Sequence, residues 1–206
     1  TIVGAGTALI TASQAGNGTF SAAPDVDQNL VVNKATLTVT ADNKSKAYGA
    51  AIPPLTITYA GFANGDNASV LDTAPSAATT ALATSNVDNY AITVSGGVDN
   101  NYNFSYVSGI LTISKAVLSA TAENKTRTYG APNPAFTISY SGFVNGETPA
   151  VLDLLPSASS AVVATTAVGS YAISLSGGTD NNYEIVNTGG TITITKATLT
   201  ATVQNA

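Results

Sequence analysis

The stretch Leu111-Thr-Ile-Ser-Lys115-Ala116-Val-Leu118-Ser-Ala120-Thr121 decides how the chain is organised. Apolar residues alternate with polar ones on both sides of Lys115-Ala116, but the two halves are out of phase. Leu111 and Ile113 fall on odd positions, Leu118 and Ala120 on even ones. Strand side chains alternate with a period of two, so a phase slip ends one strand face and begins another. The same Lys-Ala pair stands before an alternating run at Lys34-Ala35 and at Lys196-Ala197. An interruption that recurs at a fixed interval reads as the seam between repeated units.

An ungapped comparison bears this out across the whole interval. Lys34–Ser114 aligns with Lys115–Thr195 at an offset of 81, with 40 of the 81 positions identical. The identities gather at signposts: Tyr48-Gly49 with Tyr129-Gly130, Tyr59 to Phe62 with Tyr140 to Phe143, and Asn64-Gly65 with Asn145-Gly146. Val70-Leu71-Asp72, Tyr90-Ala91-Ile92, Gly96-Gly97 and Asp99-Asn100-Asn101-Tyr102 recur in the same way. Self-similarity of this kind marks a tandem repeat. The expected domains are residues 34–114 and 115–195 as two repeats, 196–206 as the start of a further one, and 1–33 as the C-terminal half of a preceding β domain. The segment Leu9 to Phe20 resembles Ala91 to Tyr102, which is the basis for the last. The chain lacks an initiator Met and a signal peptide, so it reads as a window on a longer array.

Composition narrows the function. Charged residues make up 9% of the 206, and the net charge is −5. With no basic cluster, nucleic acid and anionic membranes are poor partners. No run approaches the ~20 apolar residues of a membrane helix, so no membrane insertion is expected. There is no Cys, His, Met or Trp. That excludes disulfides and removes the commonest general base and transition-metal ligand. The abundance of Thr, Ser, Val, Gly and Asn favours strands and turns.

Within one repeat the alternation predicts strands over 36–41, 55–59, 90–94, 102–106 and 111–113, with a weaker one over 76–80. One helical turn is predicted after Asn145-Gly146, with Thr148 capping, Pro149 first, and Val151 and Leu152 facing the core; Asn67 and Ala68 supply the first two places in the first copy. The fold class is mostly β: tandem small β domains, β-grasp-like or Ig-like sandwich, with one short helical turn per repeat. Taken together, the Tyr-Gly bend, the Asn-Gly segment leading to Val-Leu-Asp, the Tyr-x-Ile strand and the Lys-Ala seam resemble the bacterial MBG domain of the YGX type. The resemblance covers residues 34–195. Tyr90-Ala91-Ile92 and Tyr171-Ala172-Ile173 depart from the family's usual Tyr-Pro-Ile. Residues 1–33 are similar to the end of a bacterial Ig-like domain. Such repeats imply long arrays in bacterial surface and adhesin-like proteins, and they bring no catalytic residues.

Candidate chemistry is weak beside structural readings. Asp99-Asn100-Asn101 and Asp180-Asn181-Asn182 could offer oxygens to Ca²⁺, but they lack the carboxylate spacing of a calcium loop and suit a turn. Thr-x-Thr rows recur at Thr36, Thr38 and Thr40, at Thr191, Thr193 and Thr195, and at Thr198, Thr200 and Thr202, and a flat row of this kind can bind ice or crystalline polysaccharide; because the rows sit on different strands and break at each Lys-Ala, the solvent face of a strand is the better reading. The recurring tyrosines Tyr48, Tyr59, Tyr90 and Tyr102 read as core or corner residues with hydroxyls reaching the surface, and only Tyr106, Asn187 in the second copy, reads as free to vary. The acids Asp42/Glu123, Asp66/Glu147, Asp72/Asp153 and Asp99/Asp180 do not converge on a glycosidase pair. Lys44, Lys46, Lys125 and Arg127 read as surface partners of Asp42 and Glu123. Lys34 and Lys115 could form isopeptide bonds if a buried acid stood beside them. Asn43 and Asn124 head glycosylation sequons of a kind expected by chance.

No catalytic, cofactor-binding or metal-binding residue is singled out. The expectation is a non-enzymatic stalk segment, extracellular or on a bacterial cell surface, that projects distal domains. Its partners would be neighbouring repeats, with sister chains or extracellular polysaccharide as lateral ones. The alternatives are a glycan- or matrix-binding repeat and a strand-complemented subunit of an extracellular filament.

Overall fold

A computed structural model describes residues 3–203. It is built from strands, with single 3-10 turns at Ala68–Val70 and Pro149–Val151 as its helical elements among the described residues. The N-terminal part is an antiparallel hairpin, β1 (Gly6–Gln14) with β2 (Ala23–Val32), whose residues are largely exposed. The first repeat contributes β3 (Ala35–Ala41), β4 (Lys44–Ala47), β5 (Ile57–Ala60), β6 (Ser76–Thr79), β7 (Asn89–Ser95), β8 (Tyr102–Val107) and β9 (Gly109–Ser114). The second contributes β10 (Ala116–Ala122), β11 (Lys125–Thr128), β12 (Ile138–Ser141), β13 (Leu154–Ser159), β14 (Gly169–Thr179), β15 (Tyr183–Thr188) and β16 (Gly190–Thr195).

Each repeat forms one three-stranded and one four-stranded sheet, ordered β5-β3-β8 and β4-β9-β7-β6, then β12-β10-β15 and β11-β16-β14-β13. The first strand of each repeat runs parallel to the sixth in sequence: β3 pairs with β8 and β10 with β15. β11 is likewise parallel to β16. These parallel pairs set the repeat apart from an all-antiparallel sandwich.

Burial follows the alternation. In β3, Leu37, Val39 and Ala41 are buried while Thr36 faces solvent, and β10 repeats this with Leu118, Ala120 and Ala122. Leu111 and Ile113 are buried in β9. They therefore lie in a four-stranded sheet, and Leu118 and Ala120 in a three-stranded one, with only Lys115 between β9 and β10. In the second repeat Ala122, Val162, Ile173, Ile192 and Ile194 form a core cluster, against which Phe136, Tyr171 and Leu175 pack. Burying an aliphatic side chain of this size stabilises by ~1.5–3 kcal/mol.

Several expectations need correction. Thr148 occupies the N-cap position but makes no side-chain cap bond, whereas Asn67 Oδ1 accepts from Ser69 N at 2.9 Å. Pro149 already fixes the first turn and lacks an N–H, which reduces the demand for a cap. Val151 is exposed and only Leu152 turns inward. The strands β4 and β11 went unpredicted, because Lys-Ser-Lys-Ala and Lys-Thr-Arg-Thr carry no apolar face. Their inward residues are Lys46 and Arg127, both buried and not surface partners of the nearby acids. Lys46 Nζ donates to Ala50 O (3.0 Å) and Ala83 O (2.9 Å). Arg127 donates to Asn133 Oδ1 (2.8 Å) and Val163 O (2.6 Å). Glu123 does pair with Lys125, at 3.1 Å.

The chain divides into two compact units whose boundaries differ from the repeat seams. One holds the residues up to Lys44 with Pro53–Thr80 and Asn89–Leu111; the other holds Ser45–Ile52, Ala81–Asp88 and the residues from Thr112 on. The second unit is therefore built from both copies.

Gly190 shows how tightly strands cross. A Cβ there would stand 2.4 Å from Ala122 O, a backbone atom that cannot rotate away. Gly190→Ala should lower the denaturant midpoint by an amount equivalent to about 2 kcal/mol. Gly18→Ala, with open space around it, should leave the midpoint within about 0.5 kcal/mol of wild type.

Candidate functional site

One end of each repeat, called its head here, is assembled from three motifs far apart in sequence. The Asp-Asn-Asn-Tyr turn is held from within. Asp180 Oδ1 accepts from Asn182 N (2.7 Å) and Tyr183 N (2.9 Å), and Asp99 does the same for Asn101 and Tyr102. Both aspartates are buried, and their side chains close a turn. The Lys of the seam binds this turn: Lys115 Nζ donates to Asp180 O at 2.7 Å and Lys34 Nζ to Asp99 O at 2.8 Å. The Lys-Ala pair thus anchors the first strand of a repeat to its own distant turn. The lysine amines bond main-chain carbonyls there.

The third motif is the Asn-Gly turn. Asn145 (φ 55°) and Gly146 (φ 74°) both adopt left-handed backbone, as do Asn64 (56°) and Gly65 (83°). Two consecutive positive φ values define a tight turn that Asn-Gly favours. The residue after it, Glu147 or Asp66, is thereby aimed at the buried tyrosine of the head. Tyr183 OH donates to Glu147 Oε2 (2.5 Å) and accepts from Val144 N (3.0 Å). Tyr102 OH donates to Asp66 Oδ2 (2.7 Å) and accepts from Ala63 N (2.9 Å).

In the second compact unit this head carries an occupant. Tyr48, from the Tyr-Gly corner of the first copy, is 6% exposed. Its hydroxyl donates to Glu147 Oε1 at 2.6 Å. Its ring meets Tyr183 edge-on, with centroids 5.6 Å apart and planes at 84°, an arrangement that aromatic quadrupoles favour. One carboxylate so receives two phenols, one on each oxygen. Gly49, at φ 77°, lets the backbone come against Val144, whose Cγ2 would lie 2.4 Å from an added Cβ. Beside it Asn182 Oδ1 accepts from Val87 N (3.0 Å), and Asn182 Nδ2 donates to Asn86 Oδ1 (3.1 Å).

Protonation follows from these contacts. Burial and the Glu147 carboxylate push Tyr183 up to about 12. The hydrogen bond to Glu147, then burial, raises Tyr48, and the bond to Asp66 raises Tyr102. All three phenols stay neutral well above neutral pH and act as donors.

The expectation that recurring tyrosines point hydroxyls at the surface is corrected here for Tyr48, Tyr102 and Tyr183, whose hydroxyls bind carboxylates. Tyr106 and Asn187 are not idle either. Gly97 N donates to Tyr106 OH (2.9 Å), and Asn187 Nδ2 donates to Gly177 O (2.8 Å), so each reaches the Gly-Gly turn by its own bond. Asn43 and Asn124, the sequon asparagines, accept from Ile110 N and Thr191 N at 2.8 Å. Asp72 accepts from Asn100 Nδ2 at 3.0 Å. The cationic supports Lys46 and Arg127, which sequence reasoning missed, hold carbonyls of the Tyr-Gly corner and of the loop beside it.

In comparison with known proteins, the family model for the MBG domain (YGX type) matches residues 37–112 and again residues 118–193. No curated protein matches the chain.

Two outcomes are expected at this site. Tyr48→Phe removes a phenol donor from a carboxylate and should cost about 1–3 kcal/mol in urea or guanidinium unfolding. The pH dependence has a defined sign. A phenol whose folded value lies above its unfolded ~10 contributes stability that is present below pH 10. That stability is lost as pH rises toward 12, because the unfolded chain releases the proton first. Stability should therefore fall between pH 10 and 12, and Tyr183→Phe should flatten that fall.

Proposed function

Because the chain belongs to the MBG domain (YGX type) family and carries the domain twice in tandem, we propose that it is a non-enzymatic spacer of a bacterial surface or adhesin-like protein. Its role is mechanical: successive repeats carry distal domains away from the cell. The observation that supports this best is Tyr48 on Glu147 and Tyr183. A packed aromatic and a charge-assisted hydrogen bond join residues of the two copies inside one compact unit. The only residue between the flanking strands is Lys115, itself bonded to Asp180 O. Arrays stabilised by nearest-neighbour interfaces behave in this way.

The occupations of the carboxylates favour the same reading. Asp99 and Asp180 close turns, Asp66 and Glu147 accept phenols, and Glu123 pairs with Lys125. The low charge and the Thr-rich strand faces suit an extracellular location and lateral contact with sister chains or polysaccharide.

Pulling the full chain by its ends tests the mechanical role. Unfolding should proceed in steps that each release about one repeat, roughly 280 Å of contour for 81 residues. Smooth extension without such steps would speak against a spacer. Specific retention of one glycan on an array would replace this reading with the glycan-binding one.

A further inference from the structure

The beginning and the end of a repeat are paired with each other. In the second repeat β10 and β15 run parallel from Ala116 opposite Tyr183 to Thr121 opposite Thr188. After a break the pairing resumes between β11 and β16, from Lys125 opposite Ile192 to Thr128 opposite Thr195. Both stretches keep one offset of 67 residues, although they belong to different sheets. Residues 116–128 and 183–195 thus follow one register from end to end. In the first repeat β3 and β8 hold the same offset of 67, from Ala35 opposite Tyr102 to Thr40 opposite Val107.

The break itself is bridged. Asn124 Oδ1 accepts from Thr191 N at 2.8 Å and from Thr191 Oγ1 at 3.0 Å, again at the offset of 67. Asn43 holds Ile110 N in the same way in the first repeat. Both ends of the ladder are closed as well. At one, Ala116 N donates to Asn182 O at 3.0 Å, beside the Lys115 bond to Asp180 O. At the other, Tyr129 N donates to Thr195 O at 2.8 Å, and Thr195 Oγ1 to Arg127 O at 3.3 Å. The chain enters the repeat at Ala116 and leaves it at Thr195, at opposite ends of this ladder. Tension along the chain therefore draws the first strand back along its own length and the last strand forward. Parallel strands drawn in this way slide in shear, and the bonds between them resist together. Strands peeled apart from one end give way one bond at a time.

We propose that this ladder is the mechanical clamp of the repeat: residues 116–128 against 183–195 set the force at which it unfolds, and the Asn124 side chain is the splint that carries tension across the change of sheet. That the array is pulled in this way rests on the spacer reading; the clamp itself follows from the direction and register of the strands. Forced unfolding is governed by the unfolding rate along the direction of pull, not by the folding equilibrium. Resistance to tension and resistance to denaturant are therefore separable. Val162 belongs to the core cluster but to neither strand of the ladder, so it supports the second and not the first.

Single-molecule pulling of the full chain in two directions tests it. The chain has no Cys, so a pair of introduced cysteines defines each direction. Val117→Cys with Lys196→Cys, both at exposed positions, pulls along the ladder. Tyr129→Cys with Lys196→Cys pulls across it and opens it from one end. The first direction should need several times the force of the second. Asn124→Ala loses two hydrogen bonds and should raise the unfolding rate along the ladder about tenfold at fixed force, while the rate across it stays within about twofold. Val162→Ala should lower the denaturant midpoint more than Asn124→Ala does, yet change the rate along the ladder less. Equal forces in the two directions, or a rate along the ladder that Asn124→Ala leaves unchanged, overturn the proposal. With stepwise release intact, those results leave the spacer reading standing. Specific glycan retention would remove the spacer reading and leave the difference between the two directions in place.

Discussion

The structure depends on what a buried phenol requires. Tyr183 is 2% exposed, and a hydroxyl without a partner at that depth costs several times what a hydrogen bond contributes when made. Glu147 supplies the acceptor, but a carboxylate has two oxygens and one phenol satisfies one of them. The second oxygen accepts Tyr48. A group needed to stabilise the interior of one repeat is therefore also the anchor for a residue of another. Stability within a repeat and stability at the joint are carried by the same carboxylate, which is the nearest-neighbour coupling that tandem arrays use.

The features that place this carboxylate are local. Asn145-Gly146 reverses the chain with two left-handed residues and delivers Glu147 to the tyrosine. Asp180 fixes the turn before Tyr183, and Lys115 fixes the carbonyl of Asp180. Two of the recurring sequence signposts, Asn-Gly and Asp-Asn-Asn-Tyr, are thus head residues. They are spaced far apart along the chain because a parallel pair such as β10 and β15 needs a long connection between its strands.

Much of this was legible in the sequence, and the rest was hidden for identifiable reasons. Leu111, Ile113, Leu118 and Ala120 announced two strand faces by their phase, since burial on one side of a sheet imposes a period of two. Asp99-Asn100-Asn101 read as a turn because short polar side chains bond their own backbone. Lys46 and Arg127 gave no such signal. A charged residue inside a strand is buried only when main-chain carbonyls converge on it, and those of Ala83 and Val163 arrive from loops about 36 residues away. The tyrosines posed a deeper limit. Tyr48 and Tyr129 share the Tyr-Gly-Ala triplet and the main-chain bonds of the tyrosine and alanine N–H groups, yet one is buried and the other exposed. Periodicity describes a residue's own element, and a partner contributed by another copy lies beyond it.

That equivalence also says how the joint is formed energetically. Two main-chain bonds that shape the corner at Tyr129, from Tyr129 N and Ala131 N, match those from Tyr48 N and Ala50 N, although one ring is exposed and the other buried. The corner is therefore shaped by its own repeat, through Thr195 O and the Arg127 side chain, before any partner arrives. Docking then has to order one side chain with two rotatable torsions and no backbone. Preorganisation of this kind lowers the cost of association and leaves more of the phenol–carboxylate bond as net affinity. Between the copies the acid varies from Asp66 to Glu147, a difference of one methylene that sets how far the carboxylate reaches across the seat. In a head built around one acceptor shared by two donors, that reach decides how closely a second ring must approach.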